Sequence, residues 1–487
     1  MAHKDLKTTA ITSLFWKLFE QGGAAAITLI VQIVMARILA PDEFGMLAIM
    51  LVFVNVGNVI VQSGLNTAVI QAPDVTERDY STVFWMSLAL SVVLYIAIFA
   101  AAPTIAAFYA MPNVVWPLRA LVLVLIVNAY NSIQEAIVSR ELDFRKTARS
   151  TVTAGIVSGA AGIIAAVAGM GIWALVIQQV GYQLCKCIVL AAQVPWHPHP
   201  VFDRDRAIVL FRFGWKLLVS GLLDQGYQSL SDLIIGKVFT SSDLGYVSQG
   251  KKYPQALGTV LDGAIQPVML SAVAKVQSDK EKVKRLARRA LKTSTFLIVP
   301  AMCAFAVCAE PLVALLLGEK WLPCVPYLQM YCFIYALLPI HTTNLQVLNG
   351  VGRSDLFLGL EIIKIVVCLC IMLFTAFGLR DLTAIVVGYM VNGILCTFIN
   401  AAPNKRVIGY AYREQLRDIF PAFGLSAVAA AAALPVALLG LPSIAQIVLQ
   451  VIVLFAVYVA VAYVLRVEEL QYLLNTLREF KMKRSAQ

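Results

Sequence analysis

The residues best suited to bind a ligand are charged side chains that stand inside long apolar stretches of the sequence. They form three clusters, which are Lys17 with Glu20; Lys216 with Asp224 and Asp232; and Lys251 and Lys252 with Asp262. An ionised side chain inside a membrane costs about 3 kcal/mol on insertion scales, so it normally faces a wet cavity or a partner of opposite charge. Lysines in such a cavity would bind phosphate or acidic groups, and the carboxylates and amides beside them would bind hydroxyl groups.

The carboxylates of these clusters have a second role in this hypothesis. Glu20, Asp224 and Asp262 would keep an empty cavity near neutrality, which avoids several unpaired buried charges. They would also titrate, and so couple the site to H⁺ or Na⁺. A simpler alternative stays open for Lys17 and Glu20, because residues three apart on one helical face also form ion pairs that join helices without any ligand.

Two other pairs of residues also have both a functional and a structural interpretation. Glu361 and Lys364 are three residues apart and form either a coupling site or a structural ion pair. Lys251 and Lys252 would lie at the membrane interface, where lysine is tolerated at little cost, if their span begins later in the sequence.

A row of amide side chains follows one stretch of the second span. Its members are Asn55, Asn58, Gln62 and Asn66. They either face sugar hydroxyls or form hydrogen bonds between helices.

The sequence contains no recognisable enzyme motif or metal-binding pattern. Cys185 and Cys187, like Cys368 and Cys370, are two residues apart and so point to different faces of a helix, which excludes a metal clip. The histidines of WHPHP, His197 and His199, are interpreted as part of a structural loop. We therefore expect a protein that is not an enzyme and has no resident cofactor.

The elements that must position these residues are membrane helices. The 487 residues are 60% hydrophobic and only 14% charged, with a mean hydropathy of +0.79. Hydropathy predicts an all-α protein with about fourteen spans. They lie near 10–37, 44–70, 80–109, 114–139, 148–169, 171–193, 208–238, 243–274, 291–317, 323–350, 355–378, 382–402, 415–440 and 443–465.

The net charge of +11 comes mainly from basic residues in short loops beside these spans. Such residues set topology and do not indicate nucleic-acid binding. They concentrate on one side of the membrane, which predicts that both termini are cytoplasmic. Between spans 8 and 9, the basic stretch AKVQSDKEKVKRLARRALK is typical of a helix on an anionic membrane surface.

A weak internal repeat relates the two halves of the chain. At an offset of 200 residues, ARILAPDEFGML from Ala36 matches GKVFTSSDLGYV from Gly236. Six spans separate the copies, so both run in the same direction, an arrangement expected of transporters with a site between two bundles. The repeat predicts a six-helix bundle over 1–200, a second over 201–406, and two further helices with a basic tail over 407–487. Arg37 and Lys237 end the first helix of each copy and are interpreted as interface anchors.

The segment ARILAPDEFGMLAI resembles the polysaccharide transporter family of the multidrug/oligosaccharidyl-lipid/polysaccharide (MOP) flippase superfamily. GLNTAVIQ from Gly64, SRELDFRK from Ser139, IQPVMLSAVAKVQSD from Ile265 and NGVGRSD from Asn349 are also similar to that family. Together they are most similar to its colanic acid exporter and teichuronic acid transporter branch. The resemblance places spans 1, 7 and 8 around a central cavity.

The resemblance implies a flippase of the bacterial inner membrane. Its substrate would be an undecaprenyl-diphosphate-linked oligosaccharide, carried by alternating access, with membrane lipids and the polysaccharide polymerase and export machinery as further partners. One rival is a cation-coupled drug antiporter of the same superfamily, which would favour a cavity rich in carboxylates and poor in lysine. Another is a membrane glycosyltransferase, which would need a large outer loop, and the predicted spans leave none.

Overall fold

The structure is a computed structural model that describes the backbone of residues 2–71, 75–141 and 143–472. Side chains are described throughout these ranges except at 2–15, 17–19, 21, 63–65, 67, 68, 71, 213, 216, 217, 260–265, 267, 268, 271, 354, 355 and 358. The side chains of Lys17, Lys216 and Asp262 therefore lie outside the described residues, although their backbones belong to helices.

Over the described ranges the chain is helical, as predicted. Its α-helices are α1 (Ala2–Ile38), α2 (Pro41–Gln71), α3 (Glu77–Phe108), α4 (Val115–Leu121), α5 (Val124–Glu141), α6 (Phe144–Val167), α7 (Ile172–Ala191), α8 (Arg204–Val238), α9 (Ser241–Lys275), α10 (Lys280–Val307), α11 (Ala309–Leu316), α12 (Val325–Ala336), α13 (Leu338–Gly350), α14 (Ser354–Leu373), α15 (Leu382–Ala401), α16 (Asn404–Ile408), α17 (Tyr412–Ala433) and α18 (Ser443–Val464). Short 3₁₀ segments cover Pro112–Val114, Glu319–Cys324 and Leu434–Leu439, and a π-helical segment covers Phe374–Leu379.

Eleven helical segments among the described residues are long and apolar enough to cross a membrane, which makes this a multi-pass membrane protein. They coincide with eleven of the predicted spans. The other three predicted spans correspond to α1, α8 and α9, which are continuous helices of 37, 35 and 35 residues. These three helices carry the three charged clusters, and each contains side chains outside the described set; the described part of α1, Gly22–Ile38, is apolar. The total of fourteen spans stays a prediction.

Contacts divide the chain into two compact units, residues 1–245 and 246–487. The sequence-based limits of 1–200, 201–406 and 407–487 follow the repeat rather than contacts, and they stay a prediction. In the first unit, α6 packs against α1 and α7, and α2 packs along α8. The small residues of α6 permit this closeness: an added Cβ on Gly159 would lie 2.4 Å from Val31 of α1.

The WHPHP loop between α7 and α8 docks on α3. Trp196 is buried and makes edge-to-face contact with Phe84, with ring centroids 6.0 Å apart. The backbone of His199 accepts a hydrogen bond from Trp85 Nε1 at 2.8 Å and donates one to Ser81 Oγ at 3.2 Å. These contacts give the loop a structural role, as the sequence suggested.

The local structure of the repeat follows the offset of 200 residues. α1 ends at Ile38 and α2 begins at Pro41, while α8 ends at Val238 and α9 begins at Ser241. In the first turn Glu43 Oε2 accepts a hydrogen bond from the Ala40 amide at 2.8 Å. In the second turn Asp243 Oδ2 accepts from the Thr240 amide at 3.1 Å. Both acidic residues thus cap the first turn of the following helix.

These two turns also pack against each other within the first unit. A Cβ added to Gly45 would lie 1.7 Å from the carbonyl oxygen of Ser241, and one added to Gly245 would lie 2.0 Å from that of Pro41. Both positions therefore need glycine, because only a residue without a side chain lets the two backbones approach so closely.

The second unit has its core where α10 packs against α17, and α17 against α18. Residues 280–292 of the basic stretch, which the sequence assigned to a surface helix, are continuous with span 9 in α10, and several of their cations contact carboxylates. Arg288 lies 2.7 Å from Asp418 Oδ1, and Lys284 lies 2.8 Å from Glu414 Oε2. These pairs join the charged end of α10 to α17. The placement of this stretch on a membrane surface stays a prediction.

Candidate functional site

A polar cluster lies among four helices of the first unit. The hydroxyl of Thr147 on α6 donates a hydrogen bond to Glu20 Oε2 of α1 at 3.1 Å. Lys186 Nζ of α7 lies 2.6 Å from Glu135 Oε1 of α5. Glu20 lies close enough to Lys186 for a longer-range electrostatic interaction, whereas the direct ion pair of Lys186 is with Glu135.

The two ends of this cluster differ in their exposure. The side chain of Lys186 is 17% exposed and that of Glu135 is 36% exposed. Because α5 and α7 are both apolar enough to cross a membrane, this ion pair is held inside a membrane segment. An anionic ligand that reached Lys186 would compete with Glu135 for the ammonium group. Glu135, once displaced, would be stabilised by a proton or a small cation.

The helix that carries Glu135 offers further polar groups. Gln134 is fully buried, and neither its Oε1 nor its Nε2 has a hydrogen-bond partner among the described residues. Asn131 Nδ2 donates to the Gln183 carbonyl at 3.3 Å, while its Oδ1 is unsatisfied. An unmade hydrogen bond of a buried polar atom costs about 1–3 kcal/mol, so these amides are costly unless water or a ligand satisfies them.

α1 is joined to α6 at the predicted cluster of Lys17 and Glu20. Besides the bond between Thr147 and Glu20, the guanidinium of Arg145 lies 5.6 Å from the centre of the Trp16 ring. The side chain of Lys17 lies outside the described residues, so its pairing with Glu20 stays a prediction. Glu20 contacts a neighbouring helix in either case.

The predicted carboxylates of α8 make bonds along their own helix. Asp224 is exposed, and its Oδ2 accepts a hydrogen bond from Gln228 Nε2 at 2.8 Å. Asp232 Oδ1 accepts from Ser231 Oγ at 3.3 Å. The remaining member of this predicted cluster, Lys216, has no described side chain.

In the second unit, Lys364 Nζ lies 2.6 Å from Glu361 Oε1, and the two side chains are 12% and 30% exposed. The pair predicted from the sequence therefore forms within α14. Lys251 and Lys252 are both half-buried on α9.

Among the described side chains, the row of amides on α2 has one hydrogen bond to another helix. Asn128 Nδ2 of α5 donates a hydrogen bond to Asn58 Oδ1 at 2.8 Å. For Asn58 the interhelical interpretation therefore applies. Asn55 is exposed, and the buried Oδ1 of Asn66 has no hydrogen-bond partner among the described residues.

Glu135 and Lys186 are not among the site residues predicted from the sequence. The signal was present, because each is an ionisable residue inside a predicted span, 114–139 and 171–193. The predicted clusters lie on spans 1, 7 and 8 instead. At the C-terminal end of α8, Lys237 Nζ lies 2.7 Å from the Phe108 carbonyl oxygen and 4.0 Å from the Phe108 ring centroid, a contact that suits the predicted anchor.

The comparisons with known proteins agree with the fold. The family model described as "Polysaccharide biosynthesis protein", Polysacc_synt_3, matches residues 34–326. The succinoglycan biosynthesis transport protein ExoT of Rhizobium meliloti (strain 1021) is 24% identical, covering 74% of this chain and 72% of the relative. The lipopolysaccharide biosynthesis protein WzxC of Escherichia coli (strain K12) is 22% identical, covering 87% and 86% respectively.

Among solved structures, the lipid II flippase MurJ in an inward closed conformation is similar, with a TM-score of 0.74 at 11% identity. The alignment covers 93% of this chain and 99% of MurJ, which confirms the MOP flippase fold that the sequence predicted. Because the family model spans more than half of the chain, the protein belongs to the Polysacc_synt_3 family of polysaccharide biosynthesis proteins.

Proposed function

We propose that this protein is a flippase that carries an undecaprenyl-diphosphate-linked oligosaccharide across the bacterial inner membrane by alternating access. The family, the names of the relatives and the likeness to a lipid II flippase support this proposal. The single observation that carries it is a lysine, Lys186, held inside the membrane helices of the first unit beside polar groups. Membrane lipids and the polysaccharide polymerase are its proposed partners, and both termini are proposed to be cytoplasmic.

The proposed mechanism begins with an exchange of partners at Lys186. In the empty protein Glu135 neutralises the ammonium group at 2.6 Å. A diphosphate carries at least two negative charges and binds lysine as strongly as a carboxylate does, so it would displace Glu135. The buried amides of Gln134 and Asn131 would then bind sugar hydroxyls, which removes the cost of their unmade hydrogen bonds.

Coupling to H⁺ or Na⁺ follows from the same exchange. A displaced Glu135 would leave an uncompensated carboxylate inside a membrane helix, which is unfavourable. Uptake of a proton or cation by Glu135 would restore neutrality, and its release would return Glu135 to Lys186. We propose the same kind of role for Glu20, which accepts a hydrogen bond from Thr147 and lies within electrostatic range of Lys186.

The proposed cationic residues of the site in the first unit are Lys186 together with Lys17 and Lys216. Lys251 and Lys252 of the second unit stay sequence-based candidates for phosphate contacts. Lysine is suited to a carried substrate because its ammonium group is a mobile point charge on a flexible stem. The competing antiporter function would move cationic drugs, which a lysine would repel.

The test is to delete the gene and measure the undecaprenyl-linked repeat unit on the inner leaflet. We expect it to accumulate, and we expect Lys186→Ala to restore transport poorly. Lys17→Ala, Lys216→Ala and Lys251→Ala are measured in parallel at matched expression.

Lys282→Ala is the control, because Lys282 is exposed and pairs only locally with Asp279 at 3.0 Å among the described contacts. Full rescue of transport by all four of the other lysine-to-alanine variants would contradict the proposed cationic site. If no lipid-linked sugar accumulates in the deletion, and sensitivity to cationic drugs rises instead, the antiporter function replaces the flippase.

A further inference from the structure

A cleft with basic side chains in its lining lies wholly within the second unit. Its volume is about 1010 Å³, and its lining includes Lys280, Val351, Arg353, Lys405, Arg406 and Val407. Four of these side chains are basic, and none of the lining residues is Asp or Glu. The lining thus contributes basic groups from four residues and no carboxylate, a composition that favours an anion of more than one charge.

Three separate connections build this cleft. Lys280 begins α10, Arg353 stands between α13 and α14, and Lys405 and Arg406 lie on α16. The positive-inside distribution assigns all three connections to the cytoplasmic side, where helix ends meet lipid headgroups. Basic pockets between membrane helices on that side are typical sites for multiply charged headgroups.

The backbone beneath two of the cations is firmly held. Asn404, at the start of α16, is 1% exposed and donates a hydrogen bond to Asn344 Oδ1 at 2.6 Å. The fully buried Gln415 exchanges two hydrogen bonds with Asn344, at 2.9 and 3.0 Å. This buried amide network ties α16 to α13 and α17, so Lys405 and Arg406 project from a fixed backbone.

The connection that carries Arg353 is fixed by a tight turn in the segment NGVGRSD. The proposed transport assigns no role to this segment. Gly352 has φ +77°, a left-handed conformation that favours glycine, and the amide of Arg353 donates to the Leu348 carbonyl at 2.9 Å. The turn ends α13 and brings Arg353 to the cleft. The apolar lining residues Val351 and Val407 pack on the core of the unit.

We infer that this cleft binds a lipid headgroup that carries two phosphate charges. Arg353 and Arg406 can each hold a phosphate oxygen pair in bidentate fashion, and the two lysines supply point charges. A cleft of this volume is larger than a single phosphate needs and lies at the upper end of ordinary ligand sites, about 300–1000 Å³. The apolar residues of the lining would contact the start of the lipid chains.

This inference is tested separately from the proposed transport, and a polyprenyl diphosphate at the cleft would connect the two, because it is the lipid end of the proposed substrate. Binding at this cleft stands if Lys186 proves unimportant, and the flippase function stands if the cleft binds no lipid. Two sources supply the same headgroup chemistry, which are a membrane phospholipid with two phosphates and a polyprenyl diphosphate. The experiment separates them.

The purified full-length protein in detergent is titrated with cardiolipin, with phosphatidylglycerol and with farnesyl diphosphate in separate arms, and binding is measured by native mass spectrometry. The variant is Lys405→Gln/Arg406→Gln. The matched control is Arg413→Gln/Arg417→Gln, which removes two exposed charges from the neighbouring α17. Melting temperatures without lipid check that both variants are folded.

We expect the two-phosphate probes to bind more tightly than phosphatidylglycerol. The cleft variant should bind about 25-fold more weakly than wild type, at roughly fivefold for each of the two charges, and the control less than about threefold more weakly. Charge-dependent binding of cardiolipin alone assigns a phospholipid, and that of farnesyl diphosphate alone assigns a polyprenyl lipid. Equal binding by the cleft variant and its control, or equal binding of one- and two-phosphate lipids by wild type, overturns the inference.

Discussion

The packing of Gly45 against the start of α9 gives the sharpest test of this structure. In Gly45→Ala the new methyl group would lie 1.7 Å from the Ser241 carbonyl oxygen, whereas real Cβ contacts stay above 3.0 Å. The backbones must therefore separate by about 1.3 Å, the difference between these two distances. A backbone carbonyl cannot turn away as a long side chain can, so the substitution has no inexpensive route of relief.

The expected magnitude follows from known costs of overpacking. Extra methyl groups in well-packed cores cost about 1–3 kcal/mol, and contact with backbone puts Gly45→Ala at the upper end of that range, about 3 kcal/mol. For a unit of this size we expect the melting temperature to fall by about 6–12 °C. The measurement is thermal unfolding of the purified protein in detergent, with the accessibility of its cysteines as the signal for unfolding.

Gly226→Ala is the matched control. Gly226 is also a helical glycine of the first unit, but it is exposed and has no atom within 4 Å of an added Cβ. Alanine favours helix over glycine by about 1 kcal/mol, so this variant should melt at or slightly above the wild-type temperature.

A double variant adds an internal check. Gly245→Ala alone should also destabilise, because its methyl group would lie 2.0 Å from the Pro41 carbonyl oxygen. Gly45→Ala/Gly245→Ala should lose less than the sum of the two, since one separation of the same two backbones relieves both clashes. A wild-type melting temperature for Gly45→Ala, or full additivity in the double variant, would refute this reasoning.

Three further outcomes are expected. Glu361→Gln leaves Lys364 without its carboxylate inside α14 and should lower the free energy of unfolding by about 3 kcal/mol. Replacing both residues by Met should restore most of the melting temperature. An equal loss of melting temperature in the single and the double variant would contradict a structural pair. Burial and the hydrogen bond to Asp418 raise the pKa of Tyr410 above its usual value of about 10, so the stability it confers is present below pH 10 and lost as the pH rises further. Tyr410→Phe should flatten the fall in melting temperature between pH 9 and 11, and an unchanged slope would argue against this assignment. Alkaline phosphatase fused to either terminus should be inactive and a fluorescent protein active there, since both ends are predicted to be cytoplasmic.

Features that depend on neighbouring residues were accessible from the sequence. Hydropathy located the apolar spans because a membrane helix needs a continuous run of about 20 apolar residues. The offset of 200 residues predicted two equivalent turns, and the structure places Glu43 and Asp243 in equivalent capping positions. The ion pair of Glu361 and Lys364 was also readable, because residues three apart share a helical face.

Features that join distant parts of the chain were decided only by the tertiary structure. Lys186 and Glu135 are 51 positions apart, and their contact depends on which faces of α5 and α7 meet. The same is true of the 127 positions between Thr147 and Glu20, and of the basic cleft that three connections form. The periodicity of apolar residues shows which face of each helix is polar, but it does not show which other helix that face contacts. The packing of side chains between helices selects the neighbour, and with it the site.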